Sequence, residues 1–285
     1  MPLDARVEAE KLRQMYKGSQ TQGYLKVLLL GESKTGKTSL ALTCPRPVHI
    51  DSFDPGGTKG LVDLIERGDI IADTQYELED PLAPTAITKW EWNFKQRLSG
   101  KYFESIGTYI LDSSTTWADA IMNAIMAKGG MPGEAPRRNH DYVPQKTYIR
   151  NGIRQMQNLP CHVIVTGHLR PEYEERVVNK EVIRRLVGYK YMTTGQGDVL
   201  IPLLFDEHWI TLTRDVPPTD TNRSGLEYCI LTSRWQYHEA GTRIGRGRFE
   251  QFEKADFKAL LKKAGWADSA RDKEPLFEGG AKKSK

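Results

Sequence analysis

The chain has 285 residues, 39% of them apolar and 27% charged, with 41 Lys plus Arg against 37 Asp plus Glu for a formal net charge of +4. That composition supports one large core or two small ones and excludes wholesale disorder, a collagen-like chain and a disulfide scaffold. No apolar run approaches the ~18 residues of a membrane span, and the opening MPLDARVEAEKLRQ has no signal-peptide core, so no membrane association is expected. The cysteines Cys44, Cys161 and Cys229 match no zinc or redox spacing, which predicts buried thiols in a cytoplasmic, reducing compartment.

In chain order, a helical extension is expected over 1–23, a core over 24–266 and a flexible basic tail over 267–285. Residues 241–285 carry twelve Lys plus Arg against seven Asp plus Glu, so the positive charge sits at the end of the chain. Short apolar runs predict strands at 24–30, 47–51, 107–112, 161–167, 207–213 and 226–233. Apolar periodicity predicts helices at 37–42, 58–67, 84–98, 115–127, 145–158 and 254–264. Gly- and Pro-rich segments at 129–141 and 215–225 read as surface loops. Nearly continuous apolar strands separated by helices indicate an α/β fold with a mainly parallel central sheet flanked by helices.

The strongest motif is the run Gly31, Glu32, Ser33, Lys34, Thr35, Gly36, Lys37 and Thr38, followed by Ser39. It fits G-x-x-x-x-G-K-[ST], leaves a strand and opens a helix, as a loop that cradles phosphates must. In that role the loop binds ATP, Lys37 reaches the β- and γ-phosphates, and the Thr38 hydroxyl ligates Mg²⁺. A second Mg²⁺-holding carboxylate is expected at the end of a neighbouring strand. Asp112, closing the apolar run from Tyr109, has that position; the lesser alternative is a cap on the helix that follows, and one residue could serve both purposes. The strand at 47–51 ends in Asp51 and, three residues later, Asp54 before Pro55, Gly56 and Gly57. Either carboxylate could orient an attacking water, with Asp54 preferred because the glycines allow close approach to a nucleotide; a plain Asp-Pro-Gly turn is the bland alternative. The strand at 161–167 brings Thr166, Gly167 and His168 to the same edge, where His168 could sense a γ-phosphate.

Two segments bear on partners. Residues 169–191 carry six basic and four acidic residues with Tyr173, Tyr189 and Tyr191, which suits either a groove for single-stranded DNA or a solvated hairpin turning at Asn179 and Lys180. Arg137 and Arg138 could add phosphate contacts. The cluster Arg243, Arg246 and Arg248 among glycines could reach a phosphate on DNA, or act as an arginine finger (Arg243 foremost) on a neighbouring subunit's nucleotide, or lie in a solvated turn. The finger reading implies a homo-oligomer, a ring or a filament.

Taken in order, GESKTGKT, HIDSFDPGG, YILDSSTTW, VIVTGH and IPLLFDEHWITL resemble the RecA-like, AAA-type P-loop ATPases of bacteriophages, a group related to single-strand annealing and recombination proteins, over residues 24–248. The resemblance implies a RecA-like fold, ATP and Mg²⁺ as ligands, Asp112 as the Walker B carboxylate and His168 as the sensor that opens a DNA-binding loop. One departure is visible: such proteins carry a Glu beside glycines after the second strand, where this chain has Phe53 and Asp54. The leading expectation is an ATPase, slow or DNA-stimulated, acting on single-stranded DNA in recombination, annealing or replication. A P-loop phosphotransferase and a nucleotide-switched assembly or packaging accessory remain as alternatives.

Overall fold

The computed structural model describes residues 4–17, 23–137, 140–178, 181–193, 197–219, 222–245 and 247–277. Arg138, Asn179, Lys180, Arg246 and the last eight residues, all part of the expectations above, lie outside them. The elements run α1 (Ala5–Lys17), β1 (Lys26–Gly31), β2 (Val48–Ser52), α2 (Val62–Glu66), β3 (Ile70–Asp73), α3 (Ala86–Ser99), β4 (Thr108–Asp112), α4 (Ser114–Lys128) and α5 (Tyr142–Gln157). They continue with β5 (His162–Val178), β6 (Glu181–Tyr191), α6 (Gly197–Leu203), β7 (Glu207–Asp215), β8 (Leu226–Leu231), β9 (Phe252–Lys254) and α7 (Phe257–Lys263).

The sheet order is β3-β2-β4-β5-β1-β7-β8-β9, with β6 paired to the outer part of β5. All neighbours from β3 to β7 are parallel, and β8 and β9 close the sheet antiparallel. The expected α/β class is therefore the observed one. Its central strands are buried and largely apolar because both faces are covered. Along β1, Leu28 and Leu30 enter one core with Trp90, Phe94, Trp117 and Ile153 from α3, α4 and α5. Val27 and Leu29 enter the other with Leu40, Leu64, Phe257 and Leu261, as the two-residue period of a strand requires.

Several expectations change. The segment after the P-loop is not an α-helix but a 3-10 helix, Thr38–Thr43. The strand β3 at the sheet edge, α6 and β9 have no counterpart in the sequence reading, and α7 begins at Phe257, where the Asp256 side chain accepts from the Ala259 N–H. The tail expected from 267 is packed as far as 277. Ala270 is buried, the Asp272 carboxylate accepts from the Arg46 N–H at 2.6 Å, and Phe277 lies against Gly68. The apolar periodicity that ends at Trp266 failed to register this segment because it is held by isolated contacts, Ala270 and Phe277 apolar and Asp272 polar, not by a helix face. Among the described residues no helix is long and apolar enough to cross a membrane.

Candidate nucleotide site

Parallel strands deliver their C-terminal ends to one edge, and β1, β2, β4 and β5 end there in Gly31, Ser52, Asp112 and the stretch through His168. Because β5 lies between β1 and β4, its Thr166 reaches Asp112: the Thr166 Oγ1 donates to Asp112 Oδ1 at 2.5 Å, and the Thr38 Oγ1 donates to Asp112 Oδ2 at 2.6 Å. Helix α4 is capped by Ser113, whose side chain accepts from the Thr116 N–H. Asp112 is thereby released from the capping role that the sequence also allowed.

The loop itself is built by short-range constraints. Gly36 has φ +88°, and a Cβ there would stand 2.8 Å from the Tyr228 ring of β8, so only glycine fits on both counts. The Thr35 hydroxyl bonds the Glu32 carbonyl at 2.8 Å and the Thr211 hydroxyl of β7 at 2.7 Å. Lys37 Nζ donates to the Gly31 carbonyl at 3.0 Å and the Glu32 carbonyl at 2.7 Å, folded back on its own loop. Burial lowers the Lys37 pKa, against the opposing pull of Asp112, Asp54 and Glu32. Ser33, Lys34 and Ser39 are exposed along the rim.

The two carboxylates at the end of β2 have different surroundings. Asp51 is fully buried and saturated by His49 Nε2 at 2.9 Å, Arg97 Nη1 at 2.8 Å, Trp90 Nε1 at 2.9 Å and the Tyr109 hydroxyl at 2.7 Å. It faces the α3 layer and holds the sheet to the helices. Asp54 stands at the edge beside Asp112, accepting from the Ser113 hydroxyl at 2.8 Å, the Thr116 hydroxyl at 2.5 Å and His168 Nε2 at 2.8 Å. Burial pushes its pKa up, but the bonds from His168, Thr116 and Ser113 prevail and the net direction is down. Asp112 goes the other way: burial raises its pKa beyond what the Thr166 and Thr38 bonds and Lys37 offset, and Asp54 adds to the rise.

Glu77, in the loop after β3, accepts from the Ser52 hydroxyl and from the Gly56 N–H, each at 2.8 Å, and so fixes the Asp-Pro-Gly-Gly turn that presents Asp54. No motif pointed to it, since it lies 23 residues past Asp54 in an irregular loop. Tyr228 was also missed: its approach to Gly36 brings β8 against a loop far away in sequence.

Over residues 169–178 and 181–191, β5 and β6 pair antiparallel and continue out of the sheet, the pairing that the sequence offered as the alternative to an open groove. Three cations of this pair are themselves ion-paired, one of them across the ladder: Arg184 Nε to Glu175 of β5 at 2.7 Å, Arg176 to Glu174 along β5 at 3.1 Å, and Lys190 to Asp198 of α6 at 3.4 Å. Of its three tyrosines, only Tyr173 is exposed. Tyr189 stacks on His238 at 4.1 Å between ring centres, and Tyr191 is buried with its hydroxyl 2.5 Å from that of Ser114.

Arg243 does not join the P-loop edge of its own chain. Its side chain pairs with Asp206, and its N–H donates to Glu207 Oε1 at 2.8 Å, both at the N-terminal end of β7. Val27 aligns with Glu207 and Gly31 with Thr211, so about four residues of strand, roughly 13 Å, separate Arg243 from the loop.

A divalent cation fits the residues present. Asp112 is a buried carboxylate whose side-chain partners are hydroxyls, and it has no ion pair among the described residues. One carboxylate and one threonine hydroxyl are the protein oxygens Mg²⁺ takes beside substrate phosphates. Clusters of three or more His, Cys, Asp or Glu side chains suited to a metal are absent among the described residues.

Residues 24–206 match a protein-family model described as an AAA domain. No curated protein matches the chain. Among solved structures, one described as the crystal structure of the RadB recombinase is similar at 13% identity and a TM-score of 0.34, over 81% of this chain and 90% of that one.

Proposed function

The chain belongs to the AAA domain family, and from that premise we propose that it binds ATP at the Gly31–Thr38 loop, hydrolyses it, and couples the nucleotide state to single-stranded DNA held by the β5–β6 hairpin. The observation that carries this reading is the bonding of Asp112 to both Thr38 of the loop and Thr166 of β5, with Asp54 and His168 joined beside it.

ATP draws the Lys37 ammonium from the Gly31 and Glu32 carbonyls onto the β- and γ-phosphates, exchanging neutral acceptors for charged ones. Thr38 and Asp112 hold Mg²⁺, which supplies charge neutralisation at the transferring phosphoryl group. Asp54, kept anionic by its three donors, accepts from the attacking water and orients it. His168 links this carboxylate to the hairpin it begins, so a strand seated on the hairpin alters the Asp54–His168 bond and with it the rate of hydrolysis. Basal turnover is slow while Asp54 remains shared with His168.

ATP hydrolysis measured alone, with single strands, with duplex and with a panel of nucleoside monophosphates tests the proposal. Stimulation by single strands is the expected result; phosphoryl transfer to a monophosphate would replace the DNA reading with a phosphotransferase. On the hairpin, replacing Arg184 and Arg185 with Ala should weaken single-strand binding whatever the base sequence and lower the salt slope by about 0.7 for each phosphate that is no longer neutralised. Fluorescence anisotropy across a salt series checks this, and an unchanged slope places the strand elsewhere.

A further inference from the structure

On the face of the sheet that carries α3 to α5, a cavity of about 320 Å³ opens between the hairpin base, α6 and the ends of β1 and β7. That volume is at the small end of ligand pockets, roughly 300–1,000 Å³. Its floor is apolar: Leu30, Leu169 and Ile210. Into it face His208 and His238, which no part of the nucleotide chemistry uses. Nε2 of His208 and both ring nitrogens of His238 are buried with no hydrogen-bond partner among the described residues, and His238 is only 5% exposed. An unpaired polar atom at such depth destabilises the fold unless something satisfies it.

Shape and charge narrow what that is. Tyr189, His238 and Trp235 lie in near-parallel register, with interplanar angles of 21° and 17° for the two successive pairs, a stack that a further flat ring can extend. The fixed charges around the cavity are predominantly acidic: Glu239 and Asp198 line it, Asp198 paired with Lys190, and Glu32 is near enough to act on Tyr189 and His238. An anion is therefore disfavoured. Burial lowers the pKa of His208 to about 4 and also lowers that of His238, against the pull of Glu32, so both rings are neutral at pH 7 and each presents one donor and one acceptor.

We propose that this cavity is a second ligand site, which takes an uncharged planar heteroaromatic ring of nucleobase size against the Tyr189–His238 stack, with its polar edge hydrogen-bonded to His208 and His238. The site adjoins the nucleotide site residue by residue: Leu30 precedes Gly31 of the P-loop, Leu169 follows His168, and Ile210 precedes Thr211, which bonds Thr35. It does not depend on ATP binding, since the ring brings no phosphate to the loop.

Titration of protein labelled with ¹³C-histidine against adenosine, cytidine and a three-nucleotide single strand tests the assignment. Saturable shifts of the His208 and His238 ring signals are expected. Saturation by the nucleosides identifies a free ligand, and saturation by the trinucleotide alone identifies a base presented by a strand. His238→Phe, which keeps a flat ring but removes both nitrogens, should weaken the interaction at least tenfold. Leu203→Trp, at an exposed position on the cavity wall, should block it without disturbing the core, and carries the test if the first variant folds poorly. Both variants should still bind a fluorescent ATP analogue, and Lys37→Ala should retain the histidine shifts. Absence of shifts at millimolar ligand, or unchanged affinity in the folded variants, overturns the proposal.

Discussion

At the scale of single residues, the proposed chemistry rests on groups that are already paired within the chain and must exchange partners. Lys37 gives up two backbone carbonyls for phosphate oxygens, and hydrogen bonds to charged groups are worth roughly 1.5–3 kcal/mol each. Lys37→Ala should accordingly lower ATP affinity about 100-fold or more while the fold persists, which calorimetric titration of the variant would show. Asp54 differs from Lys37 in being asked to act only once water is placed. Asp54→Asn keeps the size and loses the charge that orients water, so turnover should fall by about 10²-fold or more with ATP affinity little changed. Single-turnover hydrolysis beside a binding curve separates the two effects, and equal losses in both would mean that Asp54 serves only to shape the loop.

At the scale of elements, the sheet is joined to α3 through a buried carboxylate. Asp51 on β2 takes bonds from His49 of its own strand, Tyr109 of β4, and Trp90 and Arg97 of α3, and Arg97 also pairs with Asp73 of β3. Burial works against the charge, but His49, Arg97 and Tyr109 together hold the Asp51 pKa below its ordinary 3.8. Because the folded value is the lower one, this contribution to stability is complete above the unfolded pKa near 4 and is lost as pH falls through the folded value. Asp51→Asn leaves Arg97 half deserted and should cost about 3 kcal/mol at neutral pH. Urea unfolding at pH 7 and again below pH 3.8 should show the difference between wild type and variant shrinking in acid. A difference that stays constant would assign the loss to packing instead of charge.

At the scale of the whole molecule, the two ends of the sheet carry different parts of one proposed mechanism. The P-loop, Asp54, Asp112 and His168 occupy the C-terminal edge, whereas Arg243 is exposed at the N-terminal edge and pairs there with Asp206. An arginine so placed can reach a nucleotide only on another copy of the chain, through a heterologous contact. If it does, Arg243→Ala should reduce hydrolysis by about 10³-fold, in line with arginine fingers elsewhere. Mixing that variant with Lys37→Ala should restore part of the activity, since each supplies what the other lacks. Steady-state hydrolysis of the mixture checks this, and activity independent of protein concentration would exclude the shared site.

What the sequence alone determined is what depends on neighbours along the chain. The P-loop pattern after an apolar strand, the closing of the 107–112 run in Asp112 and the parallel α/β class all follow from local spacing and the lengths of apolar runs. What only the tertiary structure decided depends on strands brought together from far apart. Asp51 and Asp54 differ in sequence only by the glycines that follow Asp54, and the partners that separate them come from β4 and α3 for Asp51 and from α4, its cap and β5 for Asp54. The pairing of Arg184 with Glu175 is set by the register of β5 against β6, and that of Lys190 with Asp198 by the docking of α6. The packing of 267–277 against Arg46 and Gly68, and the cavity that leaves Nε2 of His208 and both ring nitrogens of His238 without partners among the described residues, arise where segments meet across the sheet. Hydrogen bonds and desolvation act on distance in space, and over these intervals the order of residues carries no record of that distance.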